Sequence, residues 1–186
     1  MKILLVLPAY NEASILEQNA LELRRFCAER LEPNWTIVLS DNASTDKTSD
    51  IGQRLAARHP EIRYMRLPQK GKGFALREAW RTFSDADVFA FMDADLSTNL
   101  EALPALLSAI AQENYDLALG SRALPQSRIH RHPLRRVISL GYRWISKIFF
   151  HTRLSDLPCG FKAISKNTLH DIVPLVRNND WFFDSE

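Results

Sequence analysis

Short apolar or β-branched runs alternate along this chain with longer stretches in which apolar residues recur every three or four positions. That alternation restricts the fold more than any other feature. Residues 2–8, 35–40, 62–67, 88–92 and 117–120 read as strands. Between them, residues 13–31, 47–58, 73–83 and 100–112 carry the helical period. Strand and helix in turn predict an α/β fold, a mostly parallel central sheet flanked by helices, with right-handed crossovers. The chain has 186 residues, 46% hydrophobic and 25% charged, enough for one sizeable core. It contains no internal repeat, low-complexity tract or flexible linker, so a single domain over residues 1–186 is expected.

Two cysteines, Cys27 and Cys159, lie far apart without metal-type spacing, which suggests neither a zinc site nor a disulfide framework. A reducing compartment fits. The apolar run at residues 3–9 is followed at once by Tyr10, Asn11 and Glu12, a pattern foreign to a signal peptide or membrane span. A cytoplasmic location is therefore expected. The net charge of +2 is uneven: Arg122, Arg128, Arg131, Arg135, Arg136, Arg143, Lys147 and Arg153 fall in a stretch with no acid between Asp116 and Asp156. Setting those eight aside from the 24 Lys and Arg leaves 16 cations against 22 Asp and Glu elsewhere. One segment is built to meet anions.

Each unusual polar cluster of the first half falls just after a strand. Pro8-Ala9-Tyr10-Asn11-Glu12 follows the first, Asp41 to Asp46 the second, Lys70-Gly71-Lys72-Gly73 the third and Asp93-Ala94-Asp95 the fourth. In an open α/β sheet the carboxyl ends of parallel strands form the ligand crevice, so the clusters are expected to form one site. Asp93 and Asp95 offer hard oxygen ligands for Mg²⁺ or Mn²⁺, which would stabilise a departing diphosphate. Alternatively, Asp95, Ser97, Thr98 or Asn99 caps the next helix. Asp41 is placed to accept hydrogen bonds from a base or ribose, and Asp46 to cap the helix after it. The Lys70 to Gly73 turn combines glycines for close approach, two cations including Lys72, and a helix N-terminus, all suited to phosphate. A basic surface turn is its plainer reading. Tyr10 and Glu12 read equally as a surface aromatic and a first-turn acid. Residues 134–150 have an amphipathic helical pattern, with Arg136, Arg143 and Lys147 opposite Val137, Ile138, Trp144, Ile145, Ile148 and Phe149. It suits a helix on the sheet or one lying at an anionic membrane surface.

In this order the clusters resemble the family 2 glycosyltransferases, which have the GT-A nucleotide-diphospho-sugar transferase fold. The carriers are Pro8 to Glu12, Ser40 to Asp46, Gly71-Lys72-Gly73 and Asp93-Ala94-Asp95. Gly120-Ser121-Arg122, Asp156-Leu157-Pro158-Cys159-Gly160-Phe161-Lys162 and Trp181 to Glu186 are similar to motifs of polyprenyl-phosphate sugar transferases, above all dolichyl-phosphate glucosyltransferases. The resemblance implies that Pro8, Ala9, Tyr10, Glu12, Leu39 and Asp41 surround the nucleoside. It implies that Asp93, Ala94 and Asp95 hold the metal and diphosphate, with Ser97 and Arg122 beside them toward sugar and phosphates. Asn42-Ala43 departs from the Asp-Gly common in relatives. Relatives also continue past the position of Glu186, so a truncated product or fragment is expected.

The expected reaction is inverting transfer of a sugar, glucose from UDP-glucose by choice, from a nucleotide-diphosphate sugar to a polyprenyl phosphate at a membrane surface. A phosphomonoester with a second pKa near ~6 is largely dianionic at neutral pH and needs no general base. Arg122 and its neighbouring cations would orient it. A saccharide hydroxyl would instead require Asp156, Asp184 or Glu186 as base. A non-catalytic nucleotide-sugar-binding remnant is a third reading. Nucleic-acid binding is not expected, since the cationic stretch has no reader motif.

Overall fold

The computed structural model describes residues 1–121, 159–180 and 183. Strands β1 (Ile3–Ala9), β2 (Trp35–Asp41), β3 (Ile62–Arg66), β4 (Val88–Met92), β5 (Leu117–Leu119) and β6 (Phe161–Ser165) form one sheet in the order β3-β2-β1-β4-β6-β5. Pairings β3/β2, β2/β1 and β1/β4 are parallel, and β6 runs antiparallel to both β4 and β5. The sheet is flanked by α1 (Leu16–Arg30), α2 (Thr48–Arg58), α3 (Lys72–Thr82), α4 (Leu103–Ala111) and α5 (Lys166–Ile172).

The continuous apolar run of β1 follows from its place between β2 and β4 with both faces covered. Alternate side chains divide between the faces. Ile3, Leu5 and Leu7 pack with Leu16, Ala20 and Leu23 of α1, Leu55 of α2 and Leu103 and Leu107 of α4. Leu4 and Val6 pack with Leu76, Ala79 and Trp80 of α3 and Leu169 of α5.

Three differences from the sequence reading have physical causes. A sixth strand, β6, unrecognised in the sequence, lies between β4 and the strand at 117–119. The five residues of β6, Phe-Lys-Ala-Ile-Ser, follow Pro158 and Gly160, but so short a run with Lys and Ser in it has no alternation long enough to read as a strand. Residues 13–15 form a turn ahead of α1. The fourth helical stretch opens as a 3₁₀ turn, Leu100–Ala102, capped by the Asn99 side chain accepting from the Glu101 N–H, and Pro104 then occupies the first turn of α4, where its missing N–H costs nothing. The amphipathic stretch at 134–150 lies outside the described residues. Among those described, no helix is long and apolar enough to cross a membrane.

Candidate functional site

Because β1 to β4 are parallel, the polar segments after them emerge along one edge of the sheet. Hydrogen bonds stitch these segments together. After β1, the Asn11 N–H donates to Ser44 Oγ at 3.0 Å, and Asn11 Oδ1 accepts from the Thr45 N–H at 2.8 Å. The Glu12 N–H donates to Thr48 Oγ1 at 2.9 Å. Asp46 accepts from the N–H groups of Ala13 at 3.2 Å and Thr48 at 2.9 Å. Burial works against the Asp46 carboxylate, but the hydrogen bonds from Thr48 and Ala13 outweigh it and hold its pKa below the usual range. Asn11 and Ala43 take the left-handed backbone conformation, with φ of 54° and 58°. Asparagine tolerates that region; Ala43 holds it inside a turn fixed from both sides.

The loop after β4 carries the paired carboxylates. The Asp95 Oδ1 accepts from the Ser97 N–H at 3.0 Å, closing a short turn through Leu96, whose φ is 46°. Ala94 is buried, and its carbonyl accepts from Asn19 Nδ2 of α1 at 2.8 Å. Asp93 Oδ1 receives Lys72 Nζ at 2.7 Å; the lysine side chain is 6% exposed and the aspartate 42%. The Lys72 ammonium also stands 5.3 Å from the Phe91 ring centroid. Glu12 faces this group, and burial, followed by the charges of Asp95, Asp46 and Asp93, raises its pKa above the ordinary carboxylate value.

These residues fit a divalent cation. Lys72 takes one oxygen of Asp93 and the Ser97 N–H one of Asp95, which leaves the second oxygen of each carboxylate, both hard donors. Among the described residues no group of three or more His, Cys, Asp or Glu gathers to hold a metal. Among the described residues, two carboxylates would face the ion, with water or diphosphate oxygens at further positions, the way Mg²⁺ is commonly held.

Other expected site residues take different surroundings. Leu39 is 1% exposed inside the core, so its side chain is packed against protein. Asp41 is also 1% exposed, with Oδ1 accepting from the Ser44 N–H at 2.9 Å and Oδ2 from the Tyr64 hydroxyl at 2.7 Å. Both its oxygens serve the protein. Tyr64, which sequence reasoning passed over, also bonds Ser49 Oγ at 2.8 Å. Pro8 and Tyr10 are half-buried and Ala9 is buried at the mouth of β1, and Lys70 Nζ lies 4.1 Å from the Tyr10 ring centroid. Ser97 is exposed.

The glycines around Lys72 serve packing. Gly71, with φ of 143°, approaches the Asn179 carbonyl, where a Cβ would stand 2.6 Å from the oxygen. That carbonyl accepts from the Phe74 N–H at 3.0 Å in the first turn of α3. A Cβ at Gly73 would stand 2.7 Å from Phe183. Arg77 of α3 donates to the Val176 carbonyl at 2.6 Å and to Asn179 Oδ1. The chain after α5 thus covers the N-terminus read as a phosphate cradle, and Lys72 alone of that turn reaches the carboxylates. Arg122, Asp156, Asp184 and Glu186 lie outside the described residues, as do the other cations of the basic stretch.

Residues 4–172 match the sequence profile of glycosyl transferase family 2. A glycosyltransferase of Haloferax volcanii is 32% identical over 192 residues, covering 100% of this chain and 30% of that protein. A dolichyl-phosphate β-glucosyltransferase of Trichomonas vaginalis is 30% identical, covering 97% of this chain and 57% of that protein. The chain therefore spans little more than half of the one relative and under a third of the other. Among solved structures, glucosyl-3-phosphoglycerate synthase of Mycobacterium tuberculosis, in complex with Mn²⁺, UDP-glucose and phosphoglyceric acid, matches with a TM-score of 0.70 at 20% identity, over 99% of this chain and 62% of that one. At that identity the likeness shows the shared GT-A fold.

Proposed function

The chain belongs to glycosyl transferase family 2, and on that premise we propose that it carries the donor site of an inverting transferase moving a sugar from a nucleoside-diphosphate donor to a polyprenyl phosphate. The observation that carries this reading is the pair Asp93 and Asp95 at the carboxyl edge of the parallel sheet, each with an uncommitted oxygen, next to the Lys72 ammonium. The dolichyl-phosphate acceptor in a relative's name supports the lipid side, and the eight cations between Arg122 and Arg153 suit a phosphate at an anionic surface. We take UDP-glucose as the donor.

In this reading the β1 and β2 loops hold the nucleoside, with Tyr10 as the half-buried ring available to it. A bound Mg²⁺ or Mn²⁺ on Asp93 and Asp95 would neutralise the diphosphate as it leaves. Lys72 adds a fixed positive charge at the same place. The acceptor phosphate attacks the anomeric carbon opposite the leaving group; the new carbon–oxygen bond forms as that to the diphosphate breaks. Arg122 orients the acceptor by charge-assisted hydrogen bonds, and Asp156 has a positioning role.

The test combines binding with turnover. Calorimetry should show UDP binding with Mn²⁺ and at least ~10-fold weaker binding in EDTA, since bare carboxylates would face the diphosphate as like charges. Labelled UDP- and GDP-sugars supplied with polyprenyl phosphate should give label in the organic phase, lost in Asp95→Asn. Equal affinity with and without metal would refute the metal role. Transfer only to a free saccharide would refute the lipid acceptor.

A further inference from the structure

Asp93 is the first residue after β4, and its main chain still pairs with the chain that enters β6. Beyond the β4/β6 register of Met92 with Phe161, the Asp93 N–H donates to the Gly160 carbonyl at 3.1 Å. This extra rung brings the bare α-carbon of Gly160 against the Asp93 side chain. A Cβ at 160 would stand 2.5 Å from the carboxylate carbon and 2.6 Å from Oδ1, and nearer still to Oδ2. Gly160 has no positive φ, so its backbone conformation is open to alanine. What a side chain at 160 would meet is this carboxylate, to which all three nearest atoms belong.

We propose that Gly160 is a positioning residue for the metal-binding carboxylate of Asp93, an inference that rests on the metal reading above. The carboxylate lies between the backbone of Gly160 and the Lys72 ammonium, 2.7 Å from Oδ1. Asp has too short a side chain to move aside while keeping that contact. A methyl group at 160 turns the carboxylate away from Lys72 and from the oxygen geometry it shares with Asp95. The antiparallel strand that returns after the basic segment is thus part of the donor site, although it contributes no ligand.

Gly160→Ala, Asp93→Ala and the double variant should be compared with the parent by thermal melting and by calorimetry of Mn²⁺ in the presence of UDP. Gly160→Ala should weaken Mn²⁺ binding by roughly 10- to 100-fold, the range for groups that orient a metal ligand. It should also lower the melting temperature in the parent but not in the Asp93→Ala background, where the obstructed carboxylate is gone. Unchanged Mn²⁺ affinity, or the same melting loss in both backgrounds, would overturn the inference. If Gly160→Ala alone fails to fold, a folded double variant supports the contact and an unfolded one overturns it. A parent that binds no Mn²⁺ sinks the metal reading and this inference with it; a parent that binds, with Gly160→Ala binding equally well, sinks this inference alone.

Discussion

The Tyr64 ring crosses from β3 to place its hydroxyl between Asp41 Oδ2 and Ser49 Oγ, at 2.7 and 2.8 Å. Tyr64→Phe removes the one group that serves both, leaving a buried carboxylate oxygen and a buried hydroxyl short of a partner. A loss of about 1–3 kcal/mol is expected from urea denaturation, the range for buried polar groups left unsatisfied. Burial, with the Asp41 carboxylate beside it, pushes the phenol from its ordinary value of 10.0 up to about 12. The folded state thus keeps a proton that the unfolded state loses, so this contribution is fully present below pH 10 and disappears as pH rises toward 12. The Cys27 thiol, also raised to about 12 by burial, adds a slope that begins near 9. Stability measured from pH 9 to 12 should therefore fall less steeply in Tyr64→Phe than in the parent; parallel curves would contradict the shift. The sequence marks Asp41 as a carboxylate after a strand. That Tyr64 meets it depends on the β2/β3 register, in which Leu39 pairs with Tyr64, and no local pattern encodes that register.

At the scale of elements, glycines separate local preference from tertiary packing. Gly52 lies inside α2, where alanine would ordinarily be better by ~1 kcal/mol. Its missing side chain makes room for Tyr64: a Cβ would stand 2.6 Å from Cε2 and closer to Cδ2. Gly52→Ala should therefore destabilise the protein by about 1–3 kcal/mol, the cost of overpacking. In a Tyr64→Ala background the same change should become neutral or mildly stabilising, as read by thermal melting; a loss of equal size in both backgrounds would place the strain elsewhere. Gly71 and Gly73 carry the same lesson. Their spacing before a helix suggested phosphate, whereas the contacts of Asn179 and Phe183 show two chain segments in close approach. A glycine in sequence says that something comes near, and cannot say what.

Across the whole molecule, the order β3-β2-β1-β4 aligns the ends of four parallel strands and gathers separate clusters along one edge of the sheet. The basic residues from Arg122 to Arg153 lie outside the described residues and outside the sequence of those four strands. Arg135→Ala with Arg136→Ala should accordingly weaken binding to anionic liposomes and use of polyprenyl phosphate while changing UDP affinity less than ~2-fold, since electrostatic attraction to a surface is worth about 1 kcal/mol per cation. Equal losses in flotation and in UDP titration would assign these arginines to the fold or the donor site. Alternating periods placed five of the six described strands and four of the five described α-helices within a few residues, because hydrophobic periodicity is written locally and each amphipathic face needs only a sheet to cover. The ordered motifs likewise identified the family and put Asp93 and Asp95 at a strand end. The tertiary structure alone placed β6 between β4 and β5, set Gly160 against Asp93, brought Lys72 to the same carboxylate and turned Asp41 inward to Tyr64. Each of these joins residues far apart in the chain through strand order and register, which are fixed by how the whole core packs and leave no period in the sequence to read.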